Sequence, residues 1–140
     1  MTYSIGQVSE MLNISISTLR YYDKKGILPL LDRTKGNIRM FTDTDIECLK
    51  IIECLKNTGM ELKDIRHFFE LCEKGDSTLR ERYELFELQK EKTEKQMKTL
   101  QDSLNLINYK CEYYKIAQEK GTTDIEGLKD KLIEKFSKKQ

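Results

Sequence analysis

The side chains best suited to bind a charged partner are basic and hydroxyl groups that cluster in one part of the chain. Residues 17–41 contain six basic and two acidic residues, a local net charge of +4, whereas the whole chain has a net charge of +1. Arginine, lysine and hydroxyl groups are common donors to nucleic-acid phosphates and base edges. The candidates are Ser17, Thr18, Arg20, Tyr21, Lys24, Arg33, Lys35 and Arg39. They form either a solvated surface or a DNA contact, and the elements that carry them decide between the two.

Cysteine thiols are the second group of side chains that could react. The four cysteines, Cys48, Cys54, Cys72 and Cys111, form no C-x-x-C pair, and no signal-peptide pattern is present, so we expect reduced thiols. On a helix advancing about 100° per residue, Cys48 falls inside an apolar arc and is predicted to lie in the core. Cys54 falls outside that arc near Lys50, which makes it a candidate sensor thiol, although the negative end of the helix dipole disfavours its thiolate. An inert surface thiol is the alternative.

Other patterns that would indicate catalysis or metal binding are missing from the sequence. The single histidine, His67, precedes two phenylalanines and lacks a nearby acid and nucleophile, so we expect a packed or surface residue. No glycine-rich phosphate loop, paired-carboxylate signature or zinc-finger spacing occurs. We therefore predict a protein that is not an enzyme, with no catalytic residue, metal site or cofactor.

Local signals place the first candidates on a helix-turn-helix. Ser4 and Gln7 fit a capping box for a helix that runs to about Leu12. Residues 13–14 make a tight turn, and Ser15 or Ser17 caps a second helix that Gly26 stops. On that helix Ile16, Leu19 and either Tyr22 or Asp23 lie near one face, which leaves the hydroxyl and basic residues on the other. Tyr22 is expected to be a packing residue.

The remaining basic candidates lie in a stretch too broken for a helix. Residues 30–41 carry a Gly-Asn turn between two short extended pieces, a pattern that predicts a small β-ribbon or wing. Thr42 then caps a third helix, which residues 57–59 end. A fourth helix is predicted over residues 61–73.

A long helix is predicted from about Thr78 to Lys120. Apolar residues repeat along it at alternating spacings of three and four, as in a coiled-coil seam that lapses at Lys90 and Thr93. The small N-terminal domain is too short to cover a stripe extending roughly 60 Å, so a homodimer is the simplest arrangement. The predicted interface comprises Leu79, Tyr83, Phe86, Met97, Leu100, Leu104, Ile107, Cys111 and Tyr114.

These elements predict a mainly all-α fold in three parts. Residues 1–75 form a winged helix-turn-helix DNA-binding domain, residues 76–120 a coiled-coil dimerisation helix, and residues 121–140 a short C-terminal helix and tail. A chain of 140 residues with 35% charged residues, one proline and no tryptophan fits long solvated helices. Without an apolar run of about 18 residues or a leader pattern, we expect a soluble cytoplasmic protein with no membrane partner.

Three strings in this order resemble the MerR family of transcriptional regulators. They are YSIGQV at residues 3–8, STLRYYDKKGIL at residues 17–28 and NIRMF at residues 37–41, and the second is highly specific. The string NTGMELKDI resembles the family's second wing, and the long helix resembles its antiparallel dimerisation coil, so the similarity covers about 120 residues. Phe41 replaces a usual tyrosine, and Glu61 replaces a usual serine cap, which weakens that cap.

The resemblance implies a homodimer that binds a pseudo-palindromic double-stranded promoter and distorts it so that RNA polymerase engages. Residues 52–60 also resemble members that respond to aldehydes or nitric oxide through one cysteine, here Cys54, which implies a stress response. Metal-sensing relatives carry two cysteines after the dimerisation helix, and no cysteine follows Cys111. The alternatives are sensing of a small ligand or metal elsewhere, or a coiled-coil interaction or scaffold protein.

Overall fold

The computed structural model describes residues 1–28, 32–33 and 39–137, with side chains for all of these except residues 32, 33, 39 and 137. The chain divides into two compact units, Met1–Lys90 and Glu91–Gln140. The described elements, in chain order, are β1 (Thr2–Ser4), α1 (Ile5–Leu12), α2 (Ile16–Lys24), β2 (Asp32–Arg33), β3 (Arg39–Thr42), α3 (Asp43–Asn57), α4 (Leu62–Glu73), a 3-10 turn (Asp76–Thr78), α5 (Leu79–Lys120) and α6 (Leu128–Ser137). The predicted mainly helical fold with a small ribbon is confirmed.

The helix-turn-helix forms where the capping residues place it. Ser4 and Gln7 make the predicted capping box at α1, which ends on Asn13 in the left-handed conformation with φ 53°. Of the two serines left open by the sequence, Ser15 caps α2, and its Oγ accepts a hydrogen bond from the Thr18 amide at 3.1 Å. Gly26, with φ 70°, follows the end of α2, a conformation that glycine adopts without strain.

The small sheet contains one strand more than the sequence predicted. The two extended pieces appear as β2 and β3, and the Gly-Asn turn between them lies outside the described residues. The N-terminal strand β1 pairs antiparallel with β3, with Tyr3 opposite Phe41, giving the order β1-β3-β2. Tyr3 also donates a hydrogen bond of 2.8 Å to the Asp43 carboxylate at the start of α3. Three residues carry too little periodicity to predict a strand, so only pairing with β3 defines it.

Helices α3 and α4 follow the sheet with the predicted limits to within one residue. Thr42 and Asp45 make a capping box at α3, and Thr58 caps its C-terminal end. Helix α4 begins at Leu62, and among the described residues the side chain of Glu61 finds no capping hydrogen bond. The weak cap expected at Glu61 is therefore present.

The core of the first unit holds these elements together. Eight large side chains have less than 2% of their surface exposed: Tyr22, Phe41, Leu19, Ile27, Leu49, Ile52, Ile65 and Val8. Burying a side chain of this kind contributes roughly 1.5–3 kcal/mol of transfer free energy. Because residues from α1, α2, β3, α3 and α4 share this cluster, α2 is held on a packed platform.

Helix α5 has 42 residues, and its first turns belong to the first unit. Phe86 packs edge-on against Phe68 with ring centroids 5.0 Å apart, and the buried Gln89 donates a hydrogen bond of 2.7 Å to Thr58. The first unit ends at Lys90, where the apolar repeat also lapses.

In the second unit, α6 covers one face of α5. Tyr113 of α5 forms a small core with Leu128 and Leu132 of α6. At about 100° per residue, the α5 residues in this core lie about 170° from the predicted seam. The large apolar seam residues Leu79, Tyr83, Phe86, Met97, Leu100, Leu104, Ile107 and Tyr114 are 39–70% exposed. No described helix is long and apolar enough to cross a membrane.

Candidate nucleic-acid interface

The outward face of α2 carries most of the predicted contact residues of the helix-turn-helix. Ser17, Arg20, Tyr21 and Lys24 are exposed, whereas Leu19 and Tyr22 of the same helix are buried. Exposed donors on one face of a short, packed helix match the geometry with which a recognition helix enters a major groove. This exposed face of α2 is called the basic face below.

The start of α2 is held by a cluster of hydroxyl groups. The Ser15 Oγ lies 2.7 Å from the Thr18 hydroxyl and 3.1 Å from that of Ser17. Thr18 is half-buried and its hydroxyl contacts the capping Ser15, whereas Ser17 is exposed. Ser17 is therefore the more open of the two predicted hydroxyl donors.

Tyr22 fixes the inner side of α2 to α3. Its hydroxyl donates to the Glu53 carboxylate at 2.6 Å and accepts from the Lys56 ammonium at 3.0 Å. The Lys56 nitrogen also lies 5.4 Å from the Tyr22 ring centroid. Burial and the bond to Glu53 raise the pKa of Tyr22, and the bond to Tyr22 raises the pKa of Lys56. The expectation that Tyr22 is a packing residue is confirmed, because its side chain is buried. Its partners Glu53 and Lys56 were not predicted, because charged residues on a helix usually indicate only a solvated face.

A further cation lies beside the basic face. The Lys25 ammonium sits 5.6 Å from the ring centroid of Tyr21, a cation–π distance. Tyr21 thus presents a phenol hydroxyl and a neighbouring positive charge on a surface where it is 44% exposed.

The wing supplies the other predicted contacts only in part. Arg33 and Arg39 are directly opposite each other in the register of β2 and β3. Lys35 lies outside the described residues. The backbone therefore brings two of the three predicted wing bases to one end of the sheet.

The cysteines differ in exposure. Cys54 is exposed on α3, and Cys111 is exposed on α5. Cys48 is packed against the core but only half-buried, so its prediction as a core residue was too strong. Burial, with smaller effects from Asp45 and Cys72, raises the pKa of the Cys48 thiol. In the sequence, Cys54 follows Glu53 and precedes Lys56, the two residues that bind the Tyr22 hydroxyl.

The remaining candidates for chemistry lie apart. His67 is exposed on α4, and its Nδ1 is 4.0 Å from the Glu70 carboxylate, in agreement with a surface histidine. Within the described part of the chain, no group of three or more histidine, cysteine or carboxylate side chains is placed to hold a metal ion.

The sequence matches family models and proteins of known family. Residues 3–72 match the model of the MerR HTH family regulatory proteins, and residues 46–107 match a MerR DNA-binding model. A Haemophilus influenzae protein described as an uncharacterized HTH-type transcriptional regulator is 43% identical over 91% of this chain and 95% of its own length. The Bacillus subtilis regulator YyaN is 33% identical over 85% of this chain and 96% of its own length.

Solved structures show the same similarity. The crystal structure of HiNmlR, described as a MerR family regulator lacking the sensor domain and bound to promoter DNA, has a TM-score of 0.82 and 43% identity. That match covers 88% of this chain and 98% of HiNmlR. A MerR family regulator from Bacillus thuringiensis has a TM-score of 0.75 and 37% identity, over 79% of this chain and 97% of its own.

Proposed function

The chain belongs to the MerR family of helix-turn-helix transcriptional regulators, and from this premise we propose that it binds promoter DNA as a homodimer and switches transcription by distorting that DNA. The observation that carries the proposal is the basic face of α2, with Arg20 and Lys24 exposed and Tyr22 anchored to α3. The relative HiNmlR, described as bound to promoter DNA, supports DNA binding as the function. Ser17, Thr18 and Tyr21 join the bases there, and Arg33, Lys35 and Arg39 act from the wing.

The homodimer is supported by the exposed seam of α5. Leu100 is 70% exposed and Ile107 is 56% exposed in a single chain, and α6 packs on the other face of the helix. Leaving a long apolar stripe in water is unfavourable, and a second copy of the same helix has the matching repeat. Two copies present two α2 helices, as required to contact two half-sites on one duplex.

Switching transcription by distortion of bound DNA requires no enzymatic chemistry. Bending a site of 20–30 base pairs costs on the order of 1–6 kcal/mol, an amount that many phosphate contacts offset. In this mechanism RNA polymerase engages the promoter only in the distorted form, so an effector acts on DNA shape more than on affinity.

We further propose that Cys54 responds to electrophiles or oxidative stress. Its thiol is exposed on α3, on the segment that also supplies Glu53 and Lys56 to Tyr22 of α2. An adduct at Cys54 adds bulk to the exposed side of α3, one helical turn from Ile51, and in this proposal it shifts the packing of α3. The proposed switch is therefore covalent and requires no cofactor or metal.

In-vitro transcription from a template that carries the protein's own promoter tests both parts of the proposal. Wild-type protein is compared with Cys54→Ser and with Cys111→Ser, a matched variant at another exposed thiol, with and without formaldehyde. We expect aldehyde-dependent transcription with wild type and Cys111→Ser, and loss of that response with retained promoter binding in Cys54→Ser. A full response in Cys54→Ser contradicts the switch, and absence of specific duplex binding by wild type contradicts the function itself.

A further inference from the structure

A cavity of about 290 Å³ lies in the first unit between α3 and α4. Leu28, Ile51, Phe68 and Phe69 line it together with two thiols, those of Cys48 and Cys72. Protein interiors are close-packed, and an empty apolar space forfeits packing contacts. An engineered apolar cavity of about 150 Å³ binds benzene, so this cavity has room for a ring with substituents.

The wall of the cavity is mostly apolar, and its charged groups are two carboxylates, those of Asp45 and Glu73. The Asp45 carboxylate is 5% exposed and accepts hydrogen bonds from the Thr42 amide and hydroxyl at 2.8 and 3.0 Å. Since burial raises the pKa of Cys48, its thiol stays neutral near neutral pH. The Glu73 carboxylate also lines the cavity, but Glu73 is exposed, so water screens its attraction for a cation. A charged ligand therefore loses hydration on entry and meets only one carboxylate held by its cap and one screened by solvent, so an uncharged ligand is favoured.

The aromatic rings and thiols that line the cavity indicate which class of uncharged ligand fits it. The Phe68 and Phe69 rings meet edge to face with centroids 5.1 Å apart, so they present ring surface of two orientations. Cysteine in such surroundings behaves as a small hydrophobe with a weak donor, and polarisable sulfur makes favourable contacts with aromatic rings. A neutral aromatic molecule matches this wall better than an ion or an aliphatic acid.

We propose that the cavity between α3 and α4 is a binding site for a small, uncharged aromatic molecule, held between the Cys48 and Cys72 thiols and the two phenylalanine rings. Binding is non-covalent. The site lies close in the chain to α2 and to the wing, because Leu28 follows α2 and α3 begins directly after β3. It is separate from Cys54 and does not depend on the DNA interface proposed above.

The cysteines supply the assay. Reduced protein is treated with iodoacetamide alone, with added ethylbenzene, or with added benzylammonium, a cation of the same size and shape. Mass spectrometry then gives the rate of alkylation of each cysteine under the three conditions. We expect ethylbenzene at ten times its Kd to slow alkylation of Cys48 and Cys72 about tenfold, since only the unoccupied fraction reacts. Exposed Cys54 should react at an unchanged rate, and benzylammonium should protect no cysteine.

Variants that narrow the cavity complete the test. Cys72→Met should weaken protection of Cys48 by ethylbenzene, and Cys48→Met should weaken protection of Cys72. Cys54→Met, a matched change on the exposed side of α3, should leave both protected as in wild type. Unprotected Cys48 and Cys72 in folded wild type, equal protection of Cys54, equal protection by benzylammonium, or protection as strong as in wild type in both narrowed variants overturns the site. Since the assay contains no DNA, its result is independent of promoter binding.

Discussion

At the scale of the residue, Arg20 is the strongest candidate for a DNA contact. It is exposed on the basic face, between the buried Leu19 and the exposed Tyr21. Arginine binds guanine edges bidentately and binds phosphate through several donors. The Arg20 side chain therefore contributes to sequence discrimination or to overall affinity for DNA. In both cases its removal weakens binding to the operator.

We expect Arg20→Ala to weaken binding to the operator by roughly 1–3 kcal/mol. Fluorescence anisotropy at several salt concentrations measures the affinity and its salt slope. Lys131→Ala, which removes an exposed base from α6, is the matched control and should bind as wild type does. If Arg20→Ala binds like the control while remaining folded, the assignment of α2 is wrong.

Tyr22 is the residue that joins α2 to α3, and its hydroxyl is testable by itself. Tyr22→Phe removes the bonds to Glu53 and Lys56 but keeps the buried ring, so we expect a loss of about 0.5–1.5 kcal/mol in the free energy of unfolding. Urea denaturation measures it. Tyr21→Phe, on the exposed side, should change stability by less than about 0.5 kcal/mol.

The stability difference between wild type and Tyr22→Phe should depend on pH. The pKa of Tyr22 in the folded protein is raised above its ordinary value of 10.0, so its contribution is fully present below that pH. As pH rises past 10.0, the unfolded chain ionises first, and stability falls until the folded pKa is passed. The difference between wild type and Tyr22→Phe should therefore narrow at alkaline pH. A constant difference would show that the hydroxyl is not coupled to folding.

At the scale of the element, the start of α2 is stabilised by a side-chain cap. Ser15 serves α2 by accepting from the Thr18 amide and contacting two neighbouring hydroxyls. We expect Ser15→Ala to cost about 1 kcal/mol of stability, as is typical for loss of an N-cap. Ser17→Ala changes a neighbouring serine that is not the cap and is the control. Thermal unfolding of both variants gives the comparison, and equal midpoints would contradict the capping role.

At the start of α4 a substitution can add a cap instead of removing one. Within the described residues Glu61 lacks a capping hydrogen bond, and its ion pair with Lys63, at 3.3 Å, is exposed. A serine at an N-cap supplies the missing acceptor, whereas an exposed ion pair contributes little. We expect Glu61→Ser to raise the free energy of unfolding by a few tenths to about 1 kcal/mol. Lys63→Ala separates loss of the ion pair from gain of the cap, and a destabilised Glu61→Ser would refute the expectation.

At the scale of the whole molecule, assembly depends on the seam of α5. The double variant Leu100→Asp with Leu104→Asp places charges on the stripe, so we expect a monomer where wild type is a dimer. Sedimentation at micromolar concentration measures the mass. Leu88→Asp is the control, because Leu88 is 53% exposed but lies off the seam. Monomeric wild type, or a dimeric double variant, would contradict the homodimer.

Local signals in the sequence determined much of this protein. Caps and stops act over three or four residues, so the limits of α1, α3 and α4 were predictable to within a residue. The apolar repeat of α5 likewise predicted which face of this helix stays exposed in a single chain. These features depend on hydrogen bonds and periodicity along one segment, which the order of residues specifies directly.

Contacts between distant segments were decided only by the tertiary structure. Strand β1 exists because Thr2–Ser4 meets β3 about 40 residues later, and Tyr22 finds Glu53 and Lys56 more than 30 residues away. The half-burial of Cys48 and the cavity that it shares with Cys72 depend on how α3 and α4 pack. Periodicity assigns a residue to a face of its own helix, but the shape and polarity of what that face meets are set by the other segments.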